Sequence, residues 1–126
     1  MRLLLDTHTI VWWLCAPEAL SREAFAAIGD KDNEVLVSAA CGYEIEIKRE
    51  RDQTLRRVPE RLYETVVAQG FIWLPIGADQ AITAARLPLH HRDPWDRILV
   101  AQAADQDATL VTCDARIAAY AIPTLW

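Results

Sequence analysis

Asp6 directly follows the apolar run Leu3-Leu4-Leu5, and Asp114 closes the run Leu110-Val111-Thr112-Cys113. Each is placed as an acid at the C-terminal end of a buried strand with a helix after it. That edge of an open α/β sheet is where ligands bind. Two further acids are placed to reach it. Glu44 stands six residues past Ser38, about one and a half turns into the helix after the second strand. Its neighbours Tyr43, Ile45 and Ile47 make an apolar setting in which a charge needs a reason. Asp96 lies in the first turn of a helix opened by Pro94, with Asp93 three residues earlier.

Taken singly, each acid has a structural explanation. An aspartate after a strand commonly caps a helix, and Asp93 fits capping and the helix dipole well. Asp96 fits less completely, because Arg97 and the run Ile98-Leu99-Val100-Ala101 follow it directly. Taken together, Asp6, Glu44, Asp96 and Asp114 reach one edge from four separate elements, and they would repel one another without a cation between them. Carboxylate oxygens, with water filling the remaining positions, are the donors that Mg²⁺ or Mn²⁺ selects. Glu46 falls on roughly the opposite side of its helix and reads as solvated. Thr7 and Thr112 are candidates for hydrogen bonds that orient the ligands, although strand propensity explains Thr112 equally. Arg97 could pair with a substrate phosphate or brace an acid, and bracing is the preferred reading.

The elements that must position these residues follow from local pattern. Strands are expected at Leu3–Leu5, Val35–Val37, Ile72–Leu74 and Thr109–Thr112, with a short fifth at Pro123–Trp126. Helices are expected over Thr7–Cys15, from Ser21 through Ile28, from Ser38 to about Arg51, from Pro59 to Gly70 and over Asp79–Arg86. Asp93 caps one further helix that continues through Ala104, and Asp114–Tyr120 forms the last. Short apolar strands alternating with helices indicate an α/β fold. It is expected to be a three-layer α/β/α sandwich around a mostly parallel sheet of four or five strands.

Bulk properties narrow the class. The 126 residues are expected to form one domain, 1–126, able to bury a core without disulfides. No apolar stretch is long enough to span a bilayer, and Met1-Arg2 runs straight into a strand, so a cytoplasmic protein with no membrane association is expected. Cys15, Cys41 and Cys113 show no CxxC pair and read as buried free thiols. The net charge of −5 argues against a general nucleic-acid coat. Six of the thirteen basic residues nevertheless fall between Lys48 and Arg61, and a basic patch beside an acidic metal cleft suits a polyanion. His8, His90 and His91 lack a third soft ligand at zinc spacing and read as loop residues. Trp12 and Trp13 lie roughly 100° apart around one helix, so one is expected at the surface, as part of an interface.

The segments Leu4-Leu5-Asp6-Thr7, Ser38 with Glu44-Ile45, His91-Arg92-Asp93-Pro94-Trp95-Asp96-Arg97 and Leu110-Val111-Thr112-Cys113-Asp114 resemble, in order, the successive motifs of PIN-domain ribonucleases. The likeness is greatest to the VapC-type toxins of bacterial type II toxin–antitoxin pairs, and it spans essentially the whole chain. By that resemblance Asp6, Glu44, Asp96 and Asp114 match the family's acidic quartet, and Asp93 matches a frequent accessory acid. Trp95 stands where phenylalanine is more usual and Cys113 where a small residue is; neither change removes an oxygen ligand. The resemblance implies a Mg²⁺- or Mn²⁺-dependent endoribonuclease, with Asp6 and Asp96 as direct ligands and Asp114 direct or through water. Glu44 would then hold a second ion or orient the attacking water. It also implies an RNA substrate, cleavage leaving a 5′-phosphate and a 3′-hydroxyl, a cognate antitoxin laid across the Trp12/Trp13 helix, and a homodimer.

Other classes fit less well. A receiver-type phospho-acceptor domain also gathers acids at strand ends, but it needs an acidic pair after the first strand and a late lysine. Here Asp6 stands alone, and the lysines are Lys31 and Lys48. A haloacid-dehalogenase-type phosphatase fails because Asp6-Thr7-His8 lacks the second aspartate of Asp-x-Asp. A catalytically silent PIN-like RNA-binding module would have no reason to keep four mutually repelling acids.

Overall fold

The structure, a computed structural model, describes residues 1–126. Five strands, β1 (Arg2–Leu5), β2 (Glu34–Ser38), β3 (Ile72–Leu74), β4 (Thr109–Val111) and β5 (Thr124–Leu125), form one sheet in the order β3-β2-β1-β4-β5. Every pairing is parallel. Parallel neighbours need crossover connections, and the helices supply them: α1 (Thr7–Cys15) and α2 (Arg22–Gly29) before β2; α3 (Ala39–Lys48), α4 (Gln53–Arg56) and α5 (Leu62–Ala68) before β3; α6 (Ala78–Arg86) and α7 (Pro94–Asp105) before β4; and α8 (Ala115–Ala118) before β5. Leu3, Leu4 and Leu5 are all fully buried. Successive strand residues face opposite sides, so both faces of β1 are covered, as a three-layer sandwich requires.

The chain runs outward from β1 through β2 to β3, then returns to place β4 on the other side of β1. The strand order therefore reverses at the β1/β4 boundary, the switch point at which open α/β sheets bind ligands. Leu5 lies opposite Val111 there, and the Asp6 amide donates to the Val111 carbonyl at 3.2 Å. The buried Thr9 hydroxyl donates to the same carbonyl at 3.0 Å, fixing the start of α1 to the end of β4. This order differs from the 2-1-3-4-5 arrangement of receiver domains, so topology excludes that alternative.

Several expected boundaries move. The helix expected from Pro59 begins at Leu62, with Arg61 at its N-cap. Asp52 caps the short α4 through the Thr54 amide, Leu55 and Val58 are buried, and the intervening chain is consumed in that turn. Arg49 holds the turn closed, donating to the carbonyls of Leu55, Val58 and Pro59 and pairing with Glu46. One member of the basic cluster is thus a structural clamp. Gly70 ends α5 at φ +82°, the left-handed position glycine occupies without strain. A 3-10 turn at Pro17–Ala19, absent from the sequence expectation, follows α1.

Both tryptophans of α1 are half-buried, which corrects the expectation of a surface tryptophan. Trp12 packs on Trp126, and Trp13 packs between Phe25 and Phe71 while its Nε1 donates to Gln69. The thiols also divide differently from the expectation: only Cys41 is buried, Cys15 is intermediate and Cys113 is exposed. No helix is long and apolar enough to cross a membrane.

Candidate active site

The capping explanation and the functional one hold together at these acids. Asp6, Asp93 and Asp114 are the N-caps of α1, α7 and α8, accepting from the amides of Thr9, of Trp95 and Asp96, and of Arg116. At Asp6 the cap uses Oδ1 (2.8 Å from the Thr9 amide), and Oδ2 takes no protein donor. Burying a carboxylate beside adjacent strand ends is a cost the cap alone does not offset. Asp6 is nevertheless 5% exposed.

Glu44 is buried on α3 and oriented from two sides. The Thr7 hydroxyl donates to its Oε1 at 2.6 Å, and the Lys48 ammonium, one helical turn on, pairs with Oε2. Thr7 thus does what the sequence suggested. Thr112 acts on the turn and not on a carboxylate: its hydroxyl accepts from the Asp114 amide at 3.1 Å, shaping the β4–α8 corner. Glu46 is exposed, as expected, and pairs with Arg49.

Electrostatics record the convergence. Burial, then the charge of Asp93 and those of Asp6 and Glu44, outweigh His91 and push the Asp96 carboxyl up from 3.8 to about 6. Burial lifts the Cys41 thiol far above its ordinary range, and the charges of Asp6, Glu44 and Asp96 raise it further against a hydrogen bond with Thr7. The Lys48 ammonium is held charged, first by Glu44 and then by Asp93 and Asp96. Burial opposes ionisation of Asp114, but hydrogen bonds from the Arg116 side chain and backbone and from His91 prevail and bring it to about 2.

The tightest cluster contains a residue that the sequence reading set aside. His91 is 2% exposed, and its Nε2 lies 3.0 Å from Oδ2 of both Asp96 and Asp114. Potential ligand atoms of His91, Asp96 and Asp114 lie within 4.8 Å of one another, while Asp6 and Glu44 stand outside that triplet. His91 lies in a loop, as expected, but meets two of the candidate acids, which the sequence did not suggest. Its position two residues before the Asp93 cap was the available signal. His8 and His90 stay outside, against Trp12 and Tyr120. Arg116, another residue the sequence reading missed, donates to both oxygens of Asp114.

Arg97 braces, but it braces carbonyls and not an acid. Its buried guanidinium donates to the carbonyls of Ala85, Leu87, Pro88 and His91. The Tyr120 hydroxyl closes the same loop, donating to Pro88 at 2.6 Å and accepting from the His91 amide at 3.1 Å. Arg97 thus reaches the centre through the loop that carries His91.

The donor set fits a hard divalent cation. All the convergent acids offer carboxylate oxygen. Asp6 and Asp96 each meet protein donors through one oxygen only. The Asp96 carboxyl is pushed up to about 6 by burial first and then by the charge of Asp93. An apolar groove of ≈ 530 Å³ runs between α3 and α5, lined by Gly42, Tyr43, Tyr63 and Trp73 among others. A Cβ at Gly42 would lie 3.2 Å from the Trp73 ring, which would have to shift by a few tenths of an ångström to admit it.

Comparison with known proteins gives a consistent result. The PIN domain model matches residues 3–123. Ribonuclease VapC22 of Mycobacterium tuberculosis is 32% identical over 127 residues, spanning 98% of this chain and 97% of that protein. VapBC2 from Rickettsia felis, solved bound to a DNA fragment from its promoter, superposes with a TM-score of 0.72 at 13% identity, covering 99% of this chain and 98% of that one. VapC20 of Mycobacterium tuberculosis, a sarcin-ricin-loop-cleaving toxin, gives 0.69 at 14% identity over 95% of each chain. At such identities the structural likeness establishes the fold.

Proposed function

The chain belongs to the PIN-domain family, and on that premise we propose that it is a Mg²⁺- or Mn²⁺-dependent endoribonuclease, the toxin of a type II toxin–antitoxin pair. The observation that carries the reading is the grouping of Asp96 and Asp114, from separate elements, within 4.8 Å of each other beside His91; the charges of Asp93, Asp6 and Glu44 add to the burial that raises the Asp96 carboxyl. Asp6 and Asp114 follow β1 and β4 at the sheet's switch point, and repulsion among the acids there would favour a cation.

Asp6, Asp96 and Asp114 would hold the ion, with Asp93 accessory and Glu44 serving a second ion or the attacking water. When bound, the ion supplies a water of lowered pKa and neutralises charge building on the scissile phosphate. Thr7 and Lys48 fix where the Glu44 oxygens point, so a water on Glu44 has a defined direction of approach. The exposed cations Arg51, Arg56 and Arg57 provide a basic surface for an RNA backbone.

The antitoxin reading needs a different surface from the one the sequence suggested, since Trp12 and Trp13 are packed against the body. Tyr43 and Ile47 on α3, and Tyr63 and Val67 on α5, are exposed at i, i+4 spacing and offer apolar ridges beside the groove. An antitoxin segment or a second copy of the chain would bury them. A toxin acting on RNA in the cytoplasm agrees with three free cysteines. Mapping RNA ends after brief expression tests the reading: new 5′-phosphate ends absent from an Asp6→Asn control are expected, and identical end maps from the two would refute it.

A further inference from the structure

We propose that His91 is the positioning residue of the acidic centre: its Nε2–H bonds Asp114 while the same nitrogen stands against Asp96, so the ring sets the two acids side by side and is not a ligand of the cation they would share. The inference rests on the metal-dependent reading above and assigns this chain's histidine a role within it.

The geometry fixes the tautomer. The Asp93 amide donates to His91 Nδ1 at 3.0 Å, so Nδ1 presents a lone pair and carries no proton. The ring proton therefore sits on Nε2, which faces Oδ2 of Asp96 and Oδ2 of Asp114 at 3.0 Å each. An Nε2–H directed at the Asp114 carboxylate has no lone pair to offer a metal. The ring cannot readily swing away. It is 2% exposed, its amide donates to Tyr120, and its carbonyl accepts from Arg97.

His91 is the one side chain that meets both acids: it hydrogen-bonds Asp114 and stands 3.0 Å from Oδ2 of Asp96. Asp96 belongs to α7 and Asp114 to the β4–α8 corner, elements with no bond of their own between these two side chains. Arg116 engages Asp114, and its hydrogen bonds do not extend to Asp96. The imidazole thus sets the separation of the pair before a cation arrives and leaves Oδ1 of Asp96 free. Arg97 and Tyr120 hold the loop that aims it. Partners of this kind, which orient metal-binding carboxylates without touching the metal, are worth roughly 10–100-fold in metal affinity.

Two measurements on the full chain test the proposal. Long-range ¹H–¹⁵N correlation spectra of the imidazole, metal-free and with saturating Mg²⁺, should both show a proton on Nε2 and none on Nδ1. A proton on Nδ1 in either state overturns the proposal. Titration calorimetry with Mn²⁺ should show binding weakened about 10-fold or more in His91→Ala and largely restored in His91→Gln, which returns an N–H donor near the Nε2 position. Wild-type affinity in His91→Ala, or equal weakening in both variants, overturns it. Neither measurement uses RNA. A chain that keeps the tautomer and binds Mn²⁺ but cuts no RNA would sink the functional reading and leave this one standing.

Discussion

The Thr7 hydroxyl donates to Oε1 of Glu44 across 2.6 Å, joining the first turn of α1 to the middle of α3. This bond spans the site: Thr7 follows the Asp6 cap directly, and Glu44 is buried. Thr7→Val keeps the shape and removes the donor, leaving a buried carboxylate oxygen short of one partner. The expected cost is about 1–3 kcal/mol of stability, read as a lower midpoint in urea with an unchanged slope. Cleavage should fall with it, because Glu44 then keeps only Lys48 to orient it.

The pH dependence of the metal-free protein has two components of opposite sign. The Asp96 carboxyl titrates at about 6 in the folded chain, against 3.8 unperturbed. Ionising it costs more in the folded state than in the unfolded one, so stability is lost as pH rises from about 4 through about 6. Asp114 behaves oppositely: with its carboxyl at about 2, its contribution is complete above about 4 and is lost as pH falls through about 2. Thermal melts between about pH 4 and 7 should therefore show a decline in the wild type and a shallower one in Asp96→Asn. Mn²⁺ affinity should rise over the same range, because binding displaces the Asp96 proton.

The loop bearing His91 should be as sensitive as the acids. Tyr120→Phe deletes the acceptor of the His91 amide and one of the two donors to the Pro88 carbonyl, leaving that amide without a partner and the carbonyl with Arg97 alone. A loss of about 1–3 kcal/mol is expected, accompanied by weaker Mn²⁺ binding in the folded variant. A destabilised variant with wild-type Mn²⁺ affinity would mean that the loop does not set the carboxylates.

The exposed ridges on α3 and α5 make a separate prediction. Ile47→Glu combined with Val67→Glu places charge on apolar side chains that the chain leaves about half exposed, 43% and 50%. Stability should change little, whereas copurification with the antitoxin encoded beside the gene, or self-association measured by sedimentation, should be lost. Unchanged assembly in both measurements would move the interface elsewhere.

What the sequence disclosed follows from how local each signal was. Asp6 and Asp114 were legible because a strand, an acid and a helix start are adjacent along the chain, and Ser21, Ser38 and Asp93 marked their helices for the same reason. His91 was not legible, because its meeting with Asp114 depends on a loop folded back by Arg97 and Tyr120. The α5 boundary misled because Pro59 suits a first helical turn, while Asp52 and the buried Leu55 and Val58 claim that segment for α4. The angular argument for Trp12 and Trp13 was sound, but each ring found its own cover, Trp126 for one and Phe25 with Phe71 for the other. Lys48 is the exception that spacing alone contained: it stands one turn beyond Glu44, where an ion pair is expected.

The central claim, that convergent carboxylates at the β1/β4 switch point make a metal-dependent ribonuclease, is tested most directly with purified protein and RNA. Cleavage should require Mg²⁺ or Mn²⁺, stop with chelator, and be lost in Asp6→Asn and in Asp96→Asn while both variants melt at or above the wild-type temperature. Metal-dependent cleavage retained by both folded variants would contradict the account.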